Sequence, residues 1–125
     1  MWEFTGPAVS SLGLRGQLLA AVQSDPLLSQ VPGLTELIAQ LDVLLAAANS
    51  EIRYANTGVN GVVMMEASGS KLTATYWQLD GAEATSSYYE RPLQLLGKLR
   101  TRRFEVAAEA MAGSAVQVEA GRVPA

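Results

Sequence analysis

Nucleophilic chemistry in this chain would have to start from hydroxyl or amino groups, because the sequence contains no histidine and no cysteine. Ser10 and Ser11 follow a Gly-Pro pair and are the serines that best resemble a nucleophile on a turn. A serine nucleophile needs a neighbouring base, and only Lys71 and Lys98 are available, neither in a recognisable motif. We therefore expect Ser10 and Ser11 to serve in capping or turns, and we predict no catalytic residue.

Metal and phosphate sites are also absent from the sequence pattern. Asp25, Asp42 and Asp80 fall in three different predicted elements, so we expect them to be solvated surface acids. The segment Gly58-Val59-Asn60-Gly61 lacks the glycine pattern and the lysine of a P-loop. We predict no metal-binding and no cofactor-binding residue on this chain.

The basic residues cluster once, at Lys98, Arg100, Arg102 and Arg103. On a strand, Arg100 and Arg102 share one face and Arg103 takes the other, so they do not form one patch. The net charge of -3 comes from scattered acids and shows no nucleic-acid footprint. We predict no nucleic-acid partner.

The aromatic residues Trp77 and Tyr88-Tyr89 are the remaining candidates for a pocket. Aromatic side chains beside apolar ones more often belong to a core or an interface. We expect that role here, and it leaves open a binding surface for a partner protein.

The first half of the chain predicts two helices after a short extended segment. Residues 3–11 are interpreted as a strand with a kink at Gly6-Pro7. A short helix begins at Leu14 and ends at Asp25-Pro26, because proline disfavours helix in the preceding residue. Leu34 to Ala48 keeps helical spacing through four turns and predicts one long amphipathic helix, which is too short to span a membrane.

The second half predicts strands. Gly61 to Glu66 and Lys71 to Leu79 form an antiparallel hairpin joined by a tight turn. A long polar connection follows from Asp80 to Leu96, and Thr101 to Val106 forms a last strand with Phe104 and Val106 on one face.

The end of the chain, residues 108–125, is rich in alanine and glycine and shows no convincing period. A frayed helix at 106–111 and a weak strand at 115–119 are both compatible with it. With 49% hydrophobic residues the 125-residue chain can build a core of moderate size. The fold class is α+β, with one domain segment at 1–107 and the tail at 108–125.

The order of several short motifs resembles the C-terminal part of PhoD-like alkaline phosphatases. The matching pieces are Glu3-Phe4, Pro7-Ala8-Val9-Ser10-Ser11, Asn49, Ile52-Arg53-Tyr54, Asn56, Gly61-Val62-Val63 and Phe104-Glu105-Val106. In that family an "EF" strand running into a serine-rich turn follows the last metal-binding motif. The chain departs from the family where Ser50 replaces a proline and Val62 replaces an aromatic residue, and residues 14–34 look like extra helical material.

The resemblance implies a metallophosphoesterase sandwich of β-sheets flanked by helices. It also implies hydrolysis of phosphate esters by the full-length parent, with iron and calcium bound by upstream residues and a periplasmic or secreted location. Met1 to Phe4 has no signal-peptide pattern, so a signal of an exported parent would lie upstream. On this reading the segment completes a sheet against the upstream part and is inactive alone. The alternative is a stand-alone α+β interaction module without catalytic activity.

Overall fold

The structure, a computed structural model, describes residues 3–109 and 116–122, and it is an α+β arrangement with a four-stranded antiparallel sheet. The elements are α1 Leu14–Ser24, a 3₁₀ turn Leu28–Gln30, α2 Leu34–Ala39, α3 Leu41–Ala48, β1 Val59–Ala67, β2 Lys71–Asp80, a 3₁₀ turn Glu83–Thr85, α4 Pro92–Lys98, β3 Arg100–Ala107 and β4 Val116–Arg122. The α+β class and the antiparallel hairpin are confirmed.

The first helix, α1, begins at Leu14 and ends before Asp25-Pro26, as predicted. The strand predicted at residues 3–11 is wrong, because this segment has no regular secondary structure and bends at residues 9–11. It is nevertheless held to the sheet, since the Gly61 N–H donates to the Ala8 carbonyl at 3.0 Å and the Asn60 side chain donates to the Ser11 carbonyl at 2.6 Å.

The single long helix predicted from Leu34 to Ala48 is also wrong. The helix breaks at Gln40, whose backbone has φ -95° and ψ 11°, so that α2 and α3 are separate. The Gln40 N–H donates to the Leu37 carbonyl at 3.1 Å, a 3₁₀-type bond that tightens the last turn of α2. The break places Asp42 in the first turn of α3, where the helix dipole favours an acidic residue.

The strands follow one another in the order β1-β2-β3-β4, each antiparallel to its neighbour. Opposite residues include Val63 and Tyr76 in β1 and β2, and Ala74 and Phe104 in β2 and β3. The approach of β1 to β2 requires glycine at Gly61, because a Cβ there would lie 1.9 Å from the Trp77 carbonyl oxygen.

The two remaining elements lie in segments where the sequence pattern is weak. The connection from Asp80 to Leu96 contains α4, which begins with Pro92 at a first-turn position where proline is well tolerated. Within the tail, β4 pairs with β3 and confirms a strand there, with bounds Val116–Arg122. The frayed helix is wrong at residues 106–107, which belong to β3, and residues 110 and 111 lie outside the described part.

The core lies on one face of the sheet, which we call the covered face. Its buried residues Ala74, Tyr76 and Phe104 pack against Phe4 from the N-terminal segment and Tyr54 from the connection after α3. The rings of Tyr54 and Phe104 lie 5.4 Å apart, and those of Tyr76 and Phe104 meet edge to face at 6.0 Å. Such tilted ring pairs add about 0.5–1.5 kcal/mol each beyond the burial of their area.

The helices are joined to the sheet through Asp42, which the sequence reading placed among solvated acids. This expectation is wrong. The Asp42 carboxylate accepts hydrogen bonds from the backbone N–H and the hydroxyl of Thr57, each at 2.7 Å, and it forms an ion pair with Arg15. The Arg15 N–H donates to the Thr57 carbonyl at 3.1 Å. One carboxylate thus connects α1, α3 and the segment that enters β1.

Replacing Asp42→Ala should lower the free energy of unfolding by about 2 kcal/mol, because it removes charge-assisted hydrogen bonds and leaves Arg15 without its anion. Urea denaturation followed by tryptophan fluorescence measures the loss. Glu36→Ala is the matched control, since Glu36 is an exposed acid in the first turn of α2, and it should change stability far less. Equal effects of the two substitutions would contradict the role given to Asp42.

Candidate interaction surface on the open sheet face

The face of the sheet opposite the aromatic core carries residues that pair directly across the strands, and we call it the open face. Directly paired residues of an antiparallel sheet share a face. The members of the open face are Asn60, Val62, Met64 and Glu66 of β1, Lys71, Thr73, Thr75, Trp77 and Leu79 of β2, Thr101, Arg103, Glu105 and Ala107 of β3, and Val116, Glu119 and Gly121 of β4.

One half of the open face is apolar. Val62 pairs with Trp77, and Asn60 pairs with Leu79, so Trp77 and Leu79 lie two residues apart beside Val62 and Met64. Val62 is 51% exposed and Met64 is 48% exposed, whereas Trp77 and Leu79 are partly buried. An apolar cluster on a regular sheet surface is the kind of feature that marks a contact with another protein layer.

The other half of the open face is charged. Lys71 Nζ lies 2.6 Å from a carboxylate oxygen of Glu105, and Arg103 lies 3.4 Å from the same oxygen. Thr73, which pairs with Glu105 across the strands, is only 3% exposed although it lies on this face. The hydrogen bond from Lys71 holds the pKa of Glu105 below its ordinary value, and the nearby charges of Lys71 and Arg103 act in the same direction.

The structure separates the basic residues as the sequence predicted. Arg100 and Arg102 share the covered face, where the Arg102 guanidinium lies 5.9 Å from the centre of the Tyr54 ring, while Arg103 lies on the open face. Lys98 pairs with Glu83 at 2.5 Å. The prediction that they form no single patch is confirmed.

The loop after β2 has its own polar cluster. The Tyr88 hydroxyl and Lys98 both donate to the Glu83 carboxylate. The hydrogen bond from Lys98 is the main cause that lowers the pKa of Glu83, and the bond from Tyr88 acts in the same direction. The hydrogen bond to Glu83 raises the pKa of Tyr88. Among the described residues, no ring pair joins Trp77 to Tyr88 or Tyr89.

The remaining candidates have local structural roles. Asp25 accepts the N–H groups of Leu27 and Leu28, and Asp80 accepts the N–H of Ala82 at 2.9 Å, so both acids shape turns. Ser10 and Ser11 lie in the bend before α1, which agrees with the expected turn role.

Within residues 3–109 and 116–122, no group of three or more His, Cys, Asp and Glu side chains is arranged to hold a metal ion. Over the same residues, no helix has the length and apolar character needed to cross a bilayer.

The surface that sequence reasoning missed is the open face as a whole. The sequence makes Trp77 a candidate, whereas it predicts Val62 and Met64 only as strand residues. The continuous apolar run Val62-Val63-Met64-Met65 is the signal for this surface, because in a strand it places apolar residues on both faces of β1.

Comparison of the chain with protein-family models, with curated proteins and with solved structures finds no match.

The charged half of the open face should make the free energy of unfolding depend on pH in the acidic range. Glu105 has a folded pKa below the ordinary 4.5, so its contribution is present above pH 4.5 and is lost as the pH falls through the folded pKa. When the pH is lowered from neutral to below 4.5, the free energy of unfolding should therefore decrease less in Glu105→Gln than in the unchanged protein. Urea melts across this range measure the difference, and Glu66→Gln on the same face is the control. An unchanged acid dependence in Glu105→Gln would refute the assignment.

Proposed function

We propose that this chain is a non-catalytic part of a PhoD-like alkaline phosphatase and that its sheet forms one layer of a two-layer β-sandwich. The open face packs on a second sheet supplied by the metal-binding part of the parent. The observation that carries the proposal is the apolar half of the open face, centred on Val62, Met64 and Trp77. The ordered motifs that resemble the family supply the identity of the parent.

A second sheet layer suits this surface better than a small molecule does. The apolar residues lie on the pleated surface of two neighbouring strands, and stacked sheets bury such residues by interdigitation at about 10 Å separation. The first layer already has a core on its covered face, with Ala74, Tyr76 and Phe104 buried. A second core on the open face would give the sheet the two-sided burial of an inner layer.

The charged half marks the border of the proposed contact. Lys71 and Arg103 share the single carboxylate of Glu105 in an ion-pair cluster with an excess of positive charge. Burying it under another sheet would cost desolvation without new partners. The partner layer therefore covers the Val62, Met64 and Trp77 end and leaves the ion pairs in water.

The chemistry of the parent belongs to its other part. The resemblance implies iron and calcium on upstream aspartate, asparagine and histidine residues, where the metals activate a water molecule for hydrolysis of phosphate esters. The resemblance also favours a periplasmic or secreted parent. In this arrangement the present chain supplies sheet and covering helices, and its residues contact no reacting atom.

The catalytic part of the proposal is tested by joining and separating the two segments. The coding DNA upstream of Met1 should encode the family's aspartate and histidine motifs, including Gly-Asp-x-His, in frame or in an adjacent segment. The joined product should hydrolyse p-nitrophenyl phosphate with iron and calcium, and the purified 125-residue chain should not. Metal-dependent turnover by the chain alone would overturn its non-catalytic role, and missing upstream motifs would overturn the phosphatase parent in favour of a separate interaction module.

The docking part of the proposal predicts concentration-dependent self-association of the isolated chain, because the open face has no partner there. Met64→Gln should weaken this association about tenfold, since losing a buried methionine contact costs about 1.4 kcal/mol. Sedimentation velocity over a range of concentrations measures it.

Met65→Gln is a closely matched control for Met64→Gln. Met65 is the next residue of the same strand and is 44% exposed against 48% for Met64, but it lies on the covered face. Only the open-face substitution should change association. A chain that stays monomeric at every concentration, or equal effects of the two substitutions, would contradict the proposed docking face.

A further inference from the structure

A groove of about 770 Å³ lies beside the aromatic core, on the side of the sheet away from the open face. One wall is the N-terminal segment 3–8, a second is the beginning of α1, and a third is the segment 49–57. The floor is formed by Tyr76, Gln78 and Phe104 of the covered face. This volume is within the range of about 300–1,000 Å³ that is usual for small-molecule sites.

Each wall of the groove carries apolar side chains. Among them are Phe4, Pro7, Leu12, Leu14, Leu45 and Ile52. The floor is held in place by the ring contacts of Phe104 with Tyr54 and Tyr76. The groove therefore combines an apolar wall with a floor that is ordered before any ligand arrives, which reduces the entropy cost of binding.

The polar groups of the floor are partly used. The Tyr54 hydroxyl donates to Gln78 Oε1 at 2.9 Å and accepts a hydrogen bond from the Asn56 side chain at 3.3 Å. Gln78 is 6% exposed. Its Nε2 group makes no hydrogen bond to any described residue, so both N–H donors of the amide are left over at the floor.

Tyr76 provides a second unused group. It is 7% exposed, and its hydroxyl makes no hydrogen bond to any described residue. Burial is the main cause that raises the pKa of this phenol, so the hydroxyl keeps its proton at neutral pH. The Tyr76 hydroxyl and Gln78 Nε2 are not among the fully buried unpaired side-chain atoms of the described residues, so both are open to the groove and can donate to a bound acceptor.

The charges at the groove do not favour an anion. Glu3, Glu51 and Arg53 are the ionisable Asp, Glu, Lys and Arg residues of the lining, so carboxylates outnumber guanidinium groups there. Arg15, close to one wall, is paired with Asp42. The groove thus differs from a phosphate site, which needs an excess of positive charge or backbone donors.

We propose that this groove binds a small, neutral, mainly apolar molecule and that the Tyr76 hydroxyl and the Gln78 amide donate hydrogen bonds to an acceptor oxygen on it. The site is independent of the proposed phosphatase parent. It uses the covered face, whereas the proposed sheet contact uses the open face.

The proposal can be tested with Nile red, a neutral apolar dye that carries a carbonyl oxygen and whose fluorescence rises in apolar surroundings. The full 125-residue chain should bind it saturably. Tyr76→Phe removes only the hydroxyl and should raise the Kd about three- to tenfold, which corresponds to the loss of one hydrogen bond. Ala55→Trp should weaken binding strongly, because the indole takes up space in the groove without removing a polar group.

Controls separate the groove from other dye-binding surfaces. Tyr88→Phe removes a hydroxyl in the loop after β2 and should leave the Kd unchanged, and so should Met64→Gln on the open face. In ¹H–¹⁵N spectra, the dye should shift the Gln78 side-chain amide and leave the Trp77 indole N–H in place.

Loss of binding in Met64→Gln would place the dye on the open face and overturn the proposal. Undiminished binding in Ala55→Trp would do the same. A folded Tyr76→Phe variant with wild-type Kd would remove the hydroxyl from the site and overturn its assigned role.

Discussion

The Asp42 carboxylate is the interaction on which the arrangement of this chain depends. It ties Arg15 of α1 to Thr57, immediately before β1, and it does so from the first turn of α3. Among the described elements, α1 to α3 pack mainly on one another and the strands mainly on adjacent strands, so the Asp42 junction links two groups that otherwise pack separately. Without this junction, the walls of the groove made by α1 and the segment 49–57 would lose their fixed spacing above the sheet.

The junction explains why the two faces of the sheet differ. Because Asp42 holds the helices beside the beginning of β1, the N-terminal segment and Tyr54 can reach over Tyr76 and Phe104 and close that face. Phe4 and Tyr54 pack on that face, whereas Val62 and Met64 on the other face stay half exposed. The open face follows from where these covering segments lie as much as from the composition of the strands.

Local patterns predicted the elements that depend on neighbouring residues. Asp25-Pro26 marked the end of α1, and the alternation along Lys71 to Leu79 marked β2, because both signals act within a few residues. The position of Phe104 and Val106 on one face of β3 was predicted for the same reason, and both are buried. Pro92 was a usable signal for the beginning of α4 that the polar composition of the loop concealed.

Long-range contacts decided the features that the sequence pattern could not predict. The apolar spacing continues through Gln40, so periodicity alone predicts one helix. The break there is accompanied by a hydrogen bond between Asp42 and Thr57, fifteen residues later, which local periodicity does not reveal. The strand β4 has little pattern of its own and is defined by its pairing with β3. Segment 3–11 contains strand-favouring residues but makes only isolated hydrogen bonds to β1, at Asn60 and Gly61, and remains irregular.

The groove is also formed by long-range contacts that the sequence pattern does not predict. Its side chains do not suit a phosphate ester. Tyr76 and Gln78 alternate with Trp77 along β2, so one strand supplies the floor of the groove and the apolar centre of the open face. The floor offers neutral donors, and the lining has no excess of cations. An anionic ester bound there would lose its hydration without gaining a counter-charge. A sheet layer on one side of β2 and a neutral ligand on the other are therefore compatible, because neither needs the side chains that the other uses.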